Sequence, residues 1–234
     1  MSYQLHRGDA LTVMKTLADG SVNAVITDPP DNNAGRTNRD ARSGVHDLKT
    51  FPDENRDQLS WLTELLAEAY RASTEHSVAM LVSEWRQKPD ISEALRMAGW
   101  IWQGTIPWIK SVSQARKGGF EQSADFITWG VKGSLDNSRD LYLPGHFTAT
   151  QVGKDQDHIT QKPLEIMQQL VQICPEGGTV LDPFTGNGSI GVAALREGRH
   201  FLGIELNPHY ADIAEQRLRA ELTQHDFVLA GPEA

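Results

Sequence analysis

Two stretches of this chain carry residue types whose spacing suits chemistry. In Val180-Leu181-Asp182-Pro183-Phe184-Thr185-Gly186-Asn187-Gly188-Ser189-Ile190-Gly191, an apolar strand runs into a glycine-rich turn and a helix follows. Glycines at such a turn let a ligand lie against the backbone, facing the N-terminus of the new helix. The next strand, Phe201-Leu202-Gly203-Ile204, ends on Glu205. An acid at that place can accept both hydroxyls of a ribose. The glycine pattern alone also describes a purely structural turn. Asp182-Pro183-Phe184 before it and Glu205-Leu206-Asn207-Pro208 after it point to a nucleoside-type cofactor. The second stretch is Thr27-Asp28-Pro29-Pro30-Asp31, which ends the mostly apolar run from Val22 to Ile26. Two consecutive prolines make a stiff, extended loop. Asp-Pro-Pro by itself is also a common loop stop.

The stretch around Asp182 resembles the S-adenosylmethionine site of amino-group DNA methyltransferases, whose usual form is Asp-Pro-Phe-x-Gly-Ser-Gly; Asn187 stands where the family usually has Ser. Three further blocks agree. Gly8-Asp9 opens a helix, Asp28-Pro29-Pro30 matches the catalytic loop, and His158-Ile159-Thr160-Gln161-Lys162-Pro163 is similar to a His-x-x-x-Lys-Pro block over the cofactor. Their order, with a variable middle, is that of the β class. Asn55-Arg56-Asp57-Gln58 and Trp85-Arg86-Gln87 resemble stretches of small phage-type members.

The resemblance implies a Rossmann-like α/β fold, a doubly wound, mostly parallel sheet with helices on both faces. It implies S-adenosyl-L-methionine held by Asp9, Asp182, Phe184, Gly186, Asn187, Gly188, Glu205 and Asn207, with Lys162 and Pro163 at a helix start where backbone N–H groups meet the methionine carboxylate. Asp28, Pro29, Pro30 and Asp31 would form the catalytic loop. An exocyclic base amine is a poor nucleophile, because its lone pair is delocalised into the ring. Asp28 and a carbonyl of the Pro-Pro turn would each accept one N–H and aim the lone pair at the methyl sulfonium, giving direct in-line transfer. The target base must first be flipped out of the duplex, and the family's aromatic fourth residue stacks on it, worth ~1–3 kcal/mol.

Here that fourth position is Asp31, which cannot stack. Either another aromatic holds the base (Phe51, Trp108 and Phe120 are candidates), or the enzyme is impaired, or the chain is a DNA- or cofactor-binding pseudoenzyme. Ile109 is a second departure, where the family often has Asp in Trp-Asp-Lys. Within the family, Asp-Pro-Pro favours adenine N6 over cytosine N4. An RNA or protein-amide methyltransferase is the remaining alternative. With no Pro-Cys nucleophile, cytosine C5 chemistry is not expected.

The elements that must position these residues alternate between strand and helix, which indicates a parallel α/β sheet. Leu11, Val13, Met14 and Leu17 give a helical stripe before the Asp28 strand. Leu62, Leu65, Leu66, Ala69 and Tyr70 give another; a strand from Val78 to Val82 and a helix from Pro89 to Met97 follow. Trp61 and Trp85 read as core residues. A helix from Leu164 to Cys174 follows Pro163, and an amphipathic one covers Ala211 to Leu222. Residues 32–58 form a long loop expected to be mobile or functional; its Arg36, Arg39, Arg42 and Lys49 could meet phosphates, as could Lys110, Arg116 and Lys117 in the variable stretch 111–157 and its approach. Nearby acids make both equally readable as solvated loops.

At 234 residues the chain is expected to be a single domain, 1–234, with no room for a large target-recognition unit. Specificity should be brief, or shared with a second subunit in a homodimer. No apolar run reaches the roughly 20 residues that span a membrane, and no signal peptide is read at the start. Cys174, the one cysteine, reads as a buried structural thiol that suits a reducing cytoplasm. No metal site is expected. The net charge of −9 argues against strong non-specific nucleic-acid binding but leaves room for a local basic face. Double-stranded DNA is the expected partner, and roles in restriction-modification, regulation or phage protection are all compatible.

Overall fold

The computed structural model describes residues 1–30, 57–110, 117–149 and 163–230. In chain order these form β1 (Tyr3–Arg7), α1 (Ala10–Met14), β2 (Val22–Thr27), α2 (Gln58–Ala72), β3 (Ser73–Ser83), α3 (Lys88–Met97), β4 (Ile101–Lys110), β5 (Ala124–Val131), β6 (Phe147–Ala149), α4 (Leu164–Val171), β7 (Thr179–Asp182), α5 (Ser189–Arg196), β8 (His200–Glu205) and α6 (Pro208–Ala230). Short polar side chains set several starts. Asp9 accepts from Thr12 N at 2.8 Å and caps α1. Asp57 accepts from Ser60 N at 3.1 Å, so α2 begins at Gln58. Asn207 accepts from His209 N at 2.9 Å and Pro208 opens α6.

The eight strands make one sheet in the order β1-β8-β7-β2-β3-β5-β4-β6. Pairing is parallel from β1 to β3, antiparallel on both sides of β5, and parallel again between β4 and β6. The mostly parallel, doubly wound arrangement expected from the motifs is therefore what forms, with β5 as the inserted antiparallel strand.

Alternation along the strands divides the core into two layers. Ala24, Ile26, Val78, Met80, Val82 and Val180 pack with α4, α5 and Leu218 of α6. Val25, Ala79, Leu81 and Leu181 pack with α1, α2 and α3 on the other face. β7 leads through α5 to β8 on one side, and β2 leads past residue 57 through α2 to β3 on the other. The strand order thus reverses between β7 and β2. In open α/β sheets, ligands bind at the carboxyl ends of strands beside such a reversal.

Several local expectations shift. α6 starts three residues earlier than Ala211 and runs past Leu222 to Ala230. α4 ends at Val171, because Ile173 N and Cys174 N bond three residues back, to Leu170 O and Val171 O, in a tightened last turn. Cys174 is fully buried, as expected, and burial pushes its thiol up to about 12. Arg139 and Arg199 both donate to the Cys174 carbonyl at this helix end, where cations are favoured. Of the two tryptophans read as core, Trp61 is buried, but Trp85 is 45% exposed. Trp108, offered above as a stacking residue, is only 3% exposed and belongs to the first core layer.

Candidate active site

The two sequence stretches meet at the reversal between β2 and β7. Ala24 and Val25 pair with Val180 and Leu181, so both strands deliver their last residues to one place. There Thr27 Oγ1 donates to Asp182 Oδ1 at 2.6 Å, linking residues 155 positions apart. Asp182 Oδ1 also accepts from Phe184 N at 3.1 Å, which fixes the start of the glycine turn. Phe184 is half-buried and lies against Trp61 of α2, with ring centroids 5.5 Å apart. Thr185 closes the turn by donating through its N–H to Ile204 O at 3.0 Å.

Glu205 stands at the end of β8, on the far side of the turn. Its Oε2 accepts from Gly186 N at 2.8 Å and its Oε1 from Asn207 N at 2.8 Å. Both carboxylate oxygens are therefore oriented by backbone donors. Asp9 reaches the same edge, because Arg7 pairs with Glu205 and Gly8 N donates to Glu205 O at 3.0 Å.

The glycines divide their duties. Gly186 has φ +54°, and a Cβ there would meet nothing nearer than 4.0 Å, so the turn is open on that side. Gly188 has φ +81° and opens α5, with a Cβ position 3.2 Å from Ala214 of α6. At Gly191 a Cβ would fall 2.6 Å from the Phe201 ring and 2.7 Å from Leu218, so this third glycine serves helix–strand packing. Asn187 Oδ1 accepts from Ser189 Oγ at 2.9 Å, within the first turn of α5.

Electrostatically the pocket is acidic. Burial raises the Asp182 carboxyl to about 7, and the charges of Asp28 and Glu205 push the same way, against the hydrogen bonds from Thr27 and Phe184 N. Three carboxylates converging beside an open backbone turn suit a ligand that carries both positive charge and hydroxyl groups.

On the β2 side, Asp28 is half-buried, while Pro29 and Pro30 are buried. Gln87, 6% exposed in the β3–α3 connection, donates through Nε2 to Pro30 O at 3.2 Å. Neither Thr27 nor Gln87 was singled out from sequence. Thr27 offers the faint signal of a polar residue ending an apolar strand; Gln87 offers only its place in the Trp85-Arg86-Gln87 stretch quoted above, with no role attached. Pro163 is buried and precedes α4. Lys110 pairs with Asp125 at 2.7 Å, and Lys117 is exposed in the β4–β5 connection beside Phe120, itself 95% exposed. Asp31, Arg36, Arg39, Arg42, Lys49, Phe51, Arg116 and the block from His158 to Lys162 lie outside the described residues. Among the described residues no His, Cys, Asp and Glu group could hold a metal ion, and no helix is long and apolar enough to cross a membrane.

Residues 136–216 match the N6/N4 methyltransferase family model, described as DNA methylase. YubD of Escherichia coli (strain K12), a protein named as a methylase, is 29% identical over 92% of this chain and 89% of its own length. The type II methyltransferase M.Cfr9I of Citrobacter freundii is 26% identical over 94% of this chain and 88% of its own length. The crystal structure of the M1.HpyAVI–SAM complex superposes with a TM-score of 0.68 at 25% identity, covering 92% of this chain and 98% of that one. The resemblance to amino-group methyltransferases read from the motifs is borne out by the family model over residues 136–216, and the relatives extend the similarity over more than nine-tenths of the chain.

Proposed function

Starting from this chain's kinship with the amino-group DNA methyltransferases, we propose that it transfers a methyl group from S-adenosylmethionine to the exocyclic amine of a flipped base in double-stranded DNA, with adenine N6 as the acceptor. The observation that carries this is the meeting of two sites at one strand reversal: a nucleoside-type turn with its oriented acid, Glu205, and a Pro-Pro loop with its own acceptor, Asp28. The acidic pocket fits the cofactor's cationic ammonium and sulfonium, and the open side of Gly186 leaves room for it. When bound, S-adenosylmethionine supplies an electrophilic methyl group.

The chain's own residues do the rest. Glu205 takes the ribose hydroxyls. Asp182, Phe184, Gly186, Asn187, Gly188 and Asn207 shape the turn, Asp9 borders it, and Lys162 and Pro163 meet the cofactor's carboxylate. Asp28 and the Pro29 carbonyl each accept one amine N–H and hold the lone pair in line. Gln87 occupies Pro30 O, which leaves the Pro29 carbonyl as the acceptor from this turn. Arg36, Arg39, Arg42, Lys49, Arg116 and Lys117 serve the phosphates.

A second reading is favoured by Asp31: a pseudoenzyme that binds cofactor or DNA without turnover. One experiment separates the two. Labelled S-adenosylmethionine is offered with unmethylated duplex DNA to the native chain and to Asp31→Tyr. Label on adenine from the native chain supports the proposal. Transfer by Asp31→Tyr alone supports the pseudoenzyme. Cofactor binding with no transfer by either, but label on RNA or protein amides, overturns the DNA assignment.

A further inference from the structure

Asp31 leaves the target base without the stacking partner that its acceptor geometry calls for, and Trp108 is sealed in the core. The turn from Glu84 to Gln87 offers another. β2 and β3 run parallel with Thr27 opposite Leu81, and neighbouring strands lie about 4.8 Å apart. The chain after Ser83 therefore runs beside Asp28-Pro29-Pro30. Gln87 fastens the two together through its 3.2 Å bond to Pro30 O. Trp85, two residues before that anchor, is 45% exposed, and the Arg86 guanidinium sits 4.8 Å over its ring. The guanidinium is also 3.4 Å from Glu84, in a half-exposed pair of little energetic weight.

We propose that Trp85 is the stacking residue for the extruded nucleobase, with Arg86 meeting the adjoining phosphate. The proposal rests on the reading of the site as a base-modifying one. A planar indole takes any base by its π-face, and a guanidinium that is already half solvated can exchange a surface carboxylate for a phosphate at small cost. The Gln87 anchor ties this turn to the amine-orienting loop and leaves Trp85 two residues from the point of contact, within reach of the ring of a base held by Asp28.

The molecule contains its own control. Trp102 is 38% exposed with the Arg96 guanidinium 4.6 Å over its ring, the same pair of groups. β3 and β4 run in the same direction, since each is antiparallel to β5, and Pro107 stands level with Ser83 across Phe126. Trp102 lies five residues back along β4, roughly 15 Å towards the opposite edge of the sheet.

The test measures binding of a dye-labelled short oligodeoxyadenylate by fluorescence anisotropy, with and without S-adenosylmethionine, and beside it the quenching of tryptophan fluorescence by the unlabelled strand and methyl transfer to genomic DNA. Trp85→Ala is expected to weaken binding on the order of tenfold to a hundredfold and to remove most of the quench, with cofactor affinity unchanged. Trp85→Phe should restore most of the binding, and Trp102→Ala should behave as the native chain. If Trp85→Ala binds and quenches as the native chain does, or Trp102→Ala fails equally, the assignment is overturned. It is overturned too if the native chain binds no oligodeoxyadenylate. Trp85-dependent binding without methyl transfer to any DNA would uphold the stacking role and defeat the proposed enzyme activity.

Discussion

Burial raises the Asp182 carboxyl to about 7, and the neighbouring charges of Asp28 and Glu205 add to the effect. An unfolded aspartate titrates near 3.9. Between those values the folded chain holds a proton that the unfolded chain has lost. The contribution is therefore fully present below about pH 4 and is lost as pH rises through about 7, at up to roughly 1.4 kcal/mol per pH unit. Urea unfolding of the native chain and of Asp182→Asn between pH 4 and 8 is expected to show this slope in the first and a flatter profile in the second. On the proposed cofactor placement, saturating S-adenosylmethionine should flatten the native profile as well, since a cation beside Asp182 would favour its charged form. An unchanged slope in Asp182→Asn would assign the pH dependence to another group.

The turn between β7 and α5 is an element in which each glycine does something different. Gly191→Ala would drive a methyl to 2.6–2.7 Å from Phe201 and Leu218. Overpacking of this kind costs about 1–3 kcal/mol. Gly186→Ala meets no neighbour nearer than 4.0 Å, so its methyl enters the open side of the turn. The expected outcome is a division: Gly191→Ala lowers the urea midpoint but leaves the cofactor affinity of the folded fraction intact. Gly186→Ala weakens cofactor binding by tenfold or more, with a smaller stability loss from its left-handed backbone of about 1–2 kcal/mol. Titration calorimetry beside urea unfolding reads both. Equal effects at the two positions would contradict the division.

At the scale of the whole molecule, a net charge of −9 opposes a polyanionic partner. On the proposed function, contact with DNA would rest on a few local cations at the carboxyl edge, where β2, β4 and β6 all end. Each neutralised phosphate adds about −0.9 to the slope of log K against log salt. The slope measured by anisotropy between 50 and 200 mM salt is expected to be shallower than about −4. A slope near −8 would require an extended basic face that the charge balance does not suggest.

What the sequence determined by itself was the local chemistry. The glycine turn is one contiguous strand–turn–helix, and Glu205, the acid it orients, closes the very next strand, so local sequence displayed both. The alternation of strand and helix likewise disclosed a parallel α/β sheet, and the family resemblance added the doubly wound class. What tertiary structure decided were contacts between distant positions and the environment of ambiguous residues. Thr27 meets Asp182 across 155 positions and Gln87 meets Pro30 across 57. Only the order of strands in the sheet brings these groups together. Trp85 and Trp108 both follow apolar runs and look alike in sequence. One emerges past the carboxyl end of β3 and the other lies in the first core layer, because burial depends on which elements pack over a strand, a fact no local pattern contains.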